Sequence, residues 1–319
     1  METASRNNLM EYRKLGHTGL EVSLLGYGTS PFGDVYGPID PEECRRAVHS
    51  AIDEGINFFD SSPYYGITLG EQRLGYALEG KRKQIILATK CGRYGLNEFD
   101  FSAKRIFASV DESLERFKTD YLDLFQLYDV EFGDFRQIVD ESIPTLRKIQ
   151  QQGKARFIGI TGYPIKMLMR IAEKIPVDTI LSYCHYNLMT TDMDSRLTPF
   201  VRDNGIGLIN ASGLHMGVLT ERGGPDWHPA PTSVREAAKK AAEICRRHGK
   251  DISQVAIRFC LDHPSVSTTL VGMATREEVK SNLQLLRIPS DQQLLREIRA
   301  AISPAFSYVW PSGRPENNG

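Results

Sequence analysis

Three side chains able to run a proton transfer sit at equivalent places in the chain. Asp60 closes the apolar run "INFFDSS", Tyr65 follows in "SPYYG", and Lys90 closes "QIILATK". A lysine ending a buried run is costly unless it is paired, and Asp60 is the obvious partner. One reading is a structural ion pair beside a core tyrosine. The other is chemical. A lysine beside a phenol stabilises the phenolate, and the carboxylate orients the lysine. A hydroxyl with an ordinary pKa of about 10 is thereby brought towards the range in which it exchanges protons. Tyr128 ends another run, "LDLFQLY", just before the acidic stretch "DVEF".

These positions acquire meaning from the elements that carry them. Short apolar runs at 23–30, 56–62, 84–90, 122–128, 157–162, 179–186, 205–212 and 268–273 alternate with amphipathic stretches. The runs are continuous rather than alternating, which suits strands of a parallel sheet covered on both faces. Between them, "SAKRIFASVDESLERFKTD" puts Ile106, Val110, Leu114 and Phe117 on one helical face, with Ser102 as N-cap. "SVREAAKKAAEICRRHGK" repeats the pattern and ends at Gly249. Ahead of all this, "RKLGHTGLEVS" reads as a hairpin turning at His17-Thr18-Gly19. Eight strand–helix units without a break predict a single-domain α/β chain, a (β/α)8 TIM barrel over residues 1–319 with an N-terminal β-hairpin. A doubly wound sheet is the alternative, but "LGYGTSPFG" lacks the GxGxxG fingerprint. In a barrel the reacting groups stand where strands end, so Asp60, Lys90 and Tyr128 fall at the mouth. Residues 1–10 and 311–319 read as flexible tails.

Bulk properties narrow the function. The chain has 319 residues, 41% hydrophobic and 25% charged, with a net charge of −1. That balance gives no footprint for nucleic acid or an anionic membrane. No apolar run approaches the ~18 residues of a membrane span, and the N-terminus lacks the apolar core of a secretory signal. Five scattered cysteines fit reduced thiols, which predicts a cytoplasmic protein. Seven histidines show no metal-ligand spacing, so no metal is expected.

Asp60, Tyr65 and Lys90, together with "INFFDSSPYYGITLGEQRLGYAL", "ILATKCGRY" and "ARFIGITGYP", resemble the aldo-keto reductase family along essentially the whole chain. "FDFSAKRI", "GVLTERGGPDWHPA" and "WPSG" resemble a sugar-oxidising branch of it. The resemblance implies a barrel that binds NAD, or NADP, without a Rossmann unit. It makes Tyr65 the general acid/base, Lys90 the group that lowers its pKa, and Asp60 the holder of Lys90. Tyr64 is left as a pocket wall. Tyr128 stands where the family carries its catalytic histidine, a departure at a catalytic position.

The same resemblance assigns the cofactor. Thr29 and Thr161 fall beside the nicotinamide end, with Gly162 where an asparagine is usual and Tyr183 where a glutamine is usual. Ser212, Leu214 and Gly217 supply the pyrophosphate loop. Gly272, Met273, Ala274 and Asn282 supply the adenosine end. Glu278 stands where NADP-preferring relatives place arginine, which favours NAD. Its other reading is a solvated acid in a helix first turn. Phe32, Asp129, His215 and Trp227, in the loops after the strands, are the substrate candidates. The expected activity is oxidation of an aldose of the L-galactose type at C1 to a lactone, with hydride passing to the nicotinamide. The alternatives are reduction of a non-sugar carbonyl or other double bond, and a nucleotide-binding regulator with little activity.

Overall fold

The computed structural model describes residues 10–35 and 37–318. It has ten strands: β1 (Tyr12–Lys14), β2 (Glu21–Ser23), β3 (Leu25–Gly28), β4 (Phe58–Asp60), β5 (Ile86–Cys91), β6 (Leu122–Leu127), β7 (Ala155–Gly162), β8 (Thr179–Tyr183), β9 (Gly207–Ala211) and β10 (Thr268–Gly272). β1 and β2 form an antiparallel hairpin, and β3 to β10 form a closed parallel barrel in chain order, sealed by β10 against β3. Each of the eight apolar runs overlaps one barrel strand.

The hairpin explains why the barrel is not a pore. Its Leu15, Leu20 and Val22 pack with Phe58, Ala88, Leu124, Leu181, Ile209 and Leu270 inside the barrel and close its N-terminal end. The approach is tight: Gly16 sits at φ +54, and a Cβ there would lie 2.3 Å from the Gly207 nitrogen. Alternation then carries the inward face upward, because side chains two apart on a strand share a face. Phe58 leads to Asp60, Ala88 to Lys90, and Leu124 to Gln126 and Tyr128. The outward residues Phe59, Leu87, Phe125 and Leu127 join the larger apolar layer under the helices.

The helix Ala103–Phe117 begins where expected, with the Ser102 side chain accepting from the Arg105 nitrogen, and it buries Ile106, Val110 and Phe117. The helix Thr232–Arg247 is followed by Gly249 at φ +65. All five cysteines are free and buried. No helix among the described residues is long and apolar enough to cross a membrane.

One boundary needs correction. The tail expected over 311–319 is packed over 311–318: Asn317 is buried and its amide donates to the Glu131 and Gly133 carbonyl oxygens, while Ser312 donates to the Glu131 side chain. Its Pro, Gly and Asn content looked like fraying, but here it serves tight turns against another loop. Residues 1–9 of the other expected tail lie outside the described residues.

Candidate active site

At the C-terminal rim, Asp60, Lys90 and Tyr65 converge. Lys90 is 1% exposed and makes a short ion pair with Asp60. It also donates to the Ser61 carbonyl at 2.8 Å and to the Tyr65 hydroxyl at 3.3 Å. The second Asp60 oxygen accepts from the Gln126 amide at 2.9 Å. Burial alone would lower the Lys90 pKa, but Asp60 and Tyr65 outweigh it and raise it, so the ammonium persists. Tyr65 moves against the expectation: burial raises its pKa, and Lys90 only partly offsets this. The desolvation of a phenolate is the larger effect.

Tyr128 follows β6 and faces the same point. Its ring meets that of Tyr65 edge-on at 6.3 Å, and Tyr64 lies 6.2 Å away. The Tyr128 hydroxyl lies near enough to favour the Tyr65 anion, though no closed hydrogen bond joins them. Burial, with Tyr65 and Asp129 beside it, pushes Tyr128 well above the ordinary phenol range. It therefore stays a neutral donor and acceptor.

Asp129 is buried and paired with Arg93, whose guanidinium lies 4.0 Å from the Tyr64 ring centroid. One Asp129 oxygen has no protein partner. Trp227 is 59% exposed on the rim. The other two substrate candidates are corrected. Phe32 is wholly buried against Tyr27, because the short 3-10 turn Ser30–Gly33 turns its ring inward. His215 is also buried rather than on the surface, tied to Asn187 and set against Trp310 and His228. Burial, with His228 and His185 nearby, lowers its pKa to about 3, so its ring is neutral.

The cofactor candidates divide similarly. The Thr161 hydroxyl is buried with no partner, a vacancy suited to a polar ligand group. The Tyr183 hydroxyl donates to Glu131. Ser212, Met216 and Gly217 all have positive φ in the loop after β9, as does His215, while Leu214 is half-buried among them. Such clusters of left-handed residues turn backbone amides towards anions and concentrate at functional sites. Gly272 is exposed, Met273 and Ala274 are buried, and Asn282 is 8% exposed on the next helix. Thr29 is corrected: its hydroxyl is buried against Asp60 and Ser61, so it ties two strand ends together instead of facing a ligand. Glu278 forms a capping box with Thr275 and accepts from the Ala274 and Thr275 nitrogens.

Sequence reading missed Gln126, Arg93 and Glu131. Gln126 had a signal, standing two residues before Tyr128 and so on the same face. Arg93 and Glu131 lie in loops, where no period marks the inward side.

The chain belongs to the aldo/keto reductase family, whose model matches residues 24–303; it is an oxidoreductase of the nicotinamide-dependent kind. It is 45% identical to the L-galactose dehydrogenase of Arabidopsis thaliana over 97% of this chain and 99% of that protein. It is 32% identical to the D-arabinose 1-dehydrogenase of Saccharomyces cerevisiae over 84% of this chain and 87% of that one. Among solved structures, an aldo-keto reductase from Bacillus halodurans in its holo form superposes with a TM-score of 0.78 at 26% identity, covering 97% of this chain and 100% of that one.

Proposed function

We propose that this protein is an NAD-dependent aldose 1-dehydrogenase, oxidising an L-galactose-type sugar at C1 to the lactone. The observation that carries the reading is the Tyr65 hydroxyl held 3.3 Å from the buried Lys90 ammonium, in a chain 45% identical to an L-galactose dehydrogenase. When bound, a nicotinamide dinucleotide supplies the hydride acceptor at its C4. Tyr65 takes the proton of the C1 hydroxyl as the C1–H bond gives up its electron pair, leaving a C1 carbonyl and a neutral phenol. Lys90 keeps the phenolate accessible. Asp60 and the Ser61 carbonyl hold Lys90, and Gln126 keeps Asp60 from rotating away. Tyr128 sets a second hydroxyl beside the reacting oxygen, and unlike histidine it cannot carry a positive charge there.

Thr161 would meet the nicotinamide end of the cofactor, the Ser212–Gly217 loop its pyrophosphate, and Gly272 to Ala274 with Asn282 its adenosine. NAD is favoured because the helix amides that would receive a 2′-phosphate are capped by the Glu278 carboxylate. Arg276, the nearby cation, is paired with Glu43. The test is NADH or NADPH formation across an aldose panel. Turnover with no aldose overturns the reading, and a preference for NADP overturns the cofactor choice.

The aromatic mouth favours a second reading. Three tyrosine rings lie within 6.2–6.4 Å of one another, and Tyr128 stands where the family has histidine. That wall suits an apolar carbonyl compound reduced at the expense of NADH or NADPH. Consumption of reduced cofactor with such compounds, and none produced with aldoses, would select it.

A further inference from the structure

We propose that Glu131 is a positioning residue that fastens the segment 303–318 across the barrel mouth, and so locks the substrate wall to the cofactor loop. This rests on the dehydrogenase reading above. After the helix Gln292–Ile302 the chain crosses the rim and binds four different loops. Ser307 donates to the Met189 carbonyl, in the loop after β8. The Trp310 nitrogen donates to the Tyr163 hydroxyl at 3.2 Å, and its ring stacks on Tyr163 at 4.5 Å. The same ring meets His215 and His228, from the loop after β9, edge-on at 5.4 Å each.

The segment then ends on Glu131, in the loop after β6. Ser312 donates to its carboxyl at 2.9 Å, while the Arg314 nitrogen and the Asn317 amide both donate to its backbone oxygen, at 2.9 and 2.8 Å. Gly313, at φ +71, passes so close that a Cβ would lie 2.3 Å from that oxygen.

Glu131 also faces the mouth. The carboxyl oxygen that takes Ser312 also accepts from the Tyr163 nitrogen and the Tyr183 hydroxyl, each at 3.2 Å. Tyr128 and Asp129 lie three and two residues before it in the same loop. One side chain thus joins the strap to the walls around Tyr128 and Tyr183, while Trp310 joins the strap to the loop containing Ser212 and Gly217.

An acid in this place calls for a reason, since an amide would accept the same bonds at lower cost. Glu131 is wholly buried, and among the described residues its second oxygen has no partner and it makes no ion pair. The titratable groups facing it are Asp129 and Tyr183. The near cation, Arg93, is held by Asp129, and Arg314 turns its side chain to the Phe132 carbonyl and Glu316. Burial and the Asp129 charge raise the Glu131 pKa to about 8. The docked strap therefore prefers a protonated Glu131, and its grip weakens as pH rises towards that value.

The experiment compares wild type, Glu131→Gln, Glu131→Ala and Ser312→Ala/Asn317→Ala. It follows hydrogen exchange at residues 307–318, NADH release by stopped-flow fluorescence, and kcat and KM for L-galactose. We expect Glu131→Ala and the strap-side double variant each to raise strap exchange and NADH release about tenfold. They should raise KM while kcat stays within about threefold. Glu131→Gln should behave as wild type near pH 4.5, and between about pH 4.5 and 8 it should lack the wild-type loss of strap protection, exchange being corrected for its intrinsic rise with pH. Strap exchange unchanged in Glu131→Ala overturns the latch, and a freed strap with unchanged NADH release overturns its role in the site. If Glu131→Ala fails to fold, the strap-side variant decides alone. If no aldose is turned over, the functional reading falls, while exchange and NADH release still judge the latch.

Discussion

Replacing Tyr128 by phenylalanine removes one hydroxyl from the barrel mouth and leaves the ring. The edge-on packing on Tyr65 and Tyr64 survives, so the fold should not change. What goes is the dipole that favours the Tyr65 anion. A hydrogen bond to a charged oxygen contributes about 1.5–3 kcal/mol. Here the two hydroxyls do not close a hydrogen bond with each other, so about 1–2 kcal/mol is the reasonable share. At 1.4 kcal/mol per tenfold, kcat for L-galactose oxidation should fall about 5- to 30-fold. The ascending limb of the pH–rate profile should move upward by about one unit, because Tyr65 ionises less readily. Steady-state NADH formation from about pH 6 to 10 reads both effects. A kcat within twofold of wild type, on an unmoved limb, would refute the idea that Tyr128 assists Tyr65 ("twofold" being about assay scatter). The companion variant Tyr128→His should raise kcat/KM for L-galactose, since the shorter ring relieves crowding. Equal or lower activity would mean that tyrosine suits another substrate.

Other outcomes follow from neighbouring contacts. Lys90→Met should cut kcat by about 100-fold or more and destabilise the fold by about 3–5 kcal/mol, because Asp60 is left buried and unpaired. Asp60→Asn/Lys90→Met should recover much of the stability and none of the rate, as read by urea denaturation and initial rates. Glu278→Ala should improve use of NADP about tenfold by removing a repelling carboxylate, and should lose about 1 kcal/mol of helix capping. Competing cofactor titrations would check it, and unchanged selectivity would leave Glu278 a cap alone. Glu131, raised from 4.5 to about 8, prefers the proton in the folded state. Its stabilising contribution is whole below about pH 4.5 and is lost as pH climbs to about 8, a swing of at most about 5 kcal/mol. Glu131→Gln should flatten that slope in denaturation curves taken across the range, and an unaltered slope would assign it to other groups.

Much of the architecture was legible because it depends on local repetition. Eight apolar runs of strand length separated by amphipathic helices admit few closures, and the missing GxGxxG fingerprint sets the barrel ahead of a doubly wound sheet. Two residues of the candidate site were legible for the same reason. Asp60 and Lys90 end such runs, and a period of two carries an inward core residue to an inward polar residue one step higher, Phe58 to Asp60 and Ala88 to Lys90. The substrate loops were less legible. Phe32 looks like a pocket residue by position, yet a single 3-10 turn sends it into the core. Thr29 looks like a cofactor contact, yet its hydroxyl is taken by the neighbouring strand end. Glu278 was legible as a first-turn acid, and the capping box with Thr275 is what the fold makes of it.

By itself, then, the sequence determined the barrel, its N-terminal hairpin, and the placing of Asp60, Lys90 and Tyr128 at the mouth. These follow from hydrophobic burial acting on a two-residue period. Tertiary structure alone decided the Tyr65 pKa direction, the burial of His215 and the docking of the last segment on Glu131. Desolvation depends on every neighbour at once, and Ser312 meets Glu131 across 181 residues of chain. No local pattern encodes a contact of that range, and the closed barrel brings its two ends together.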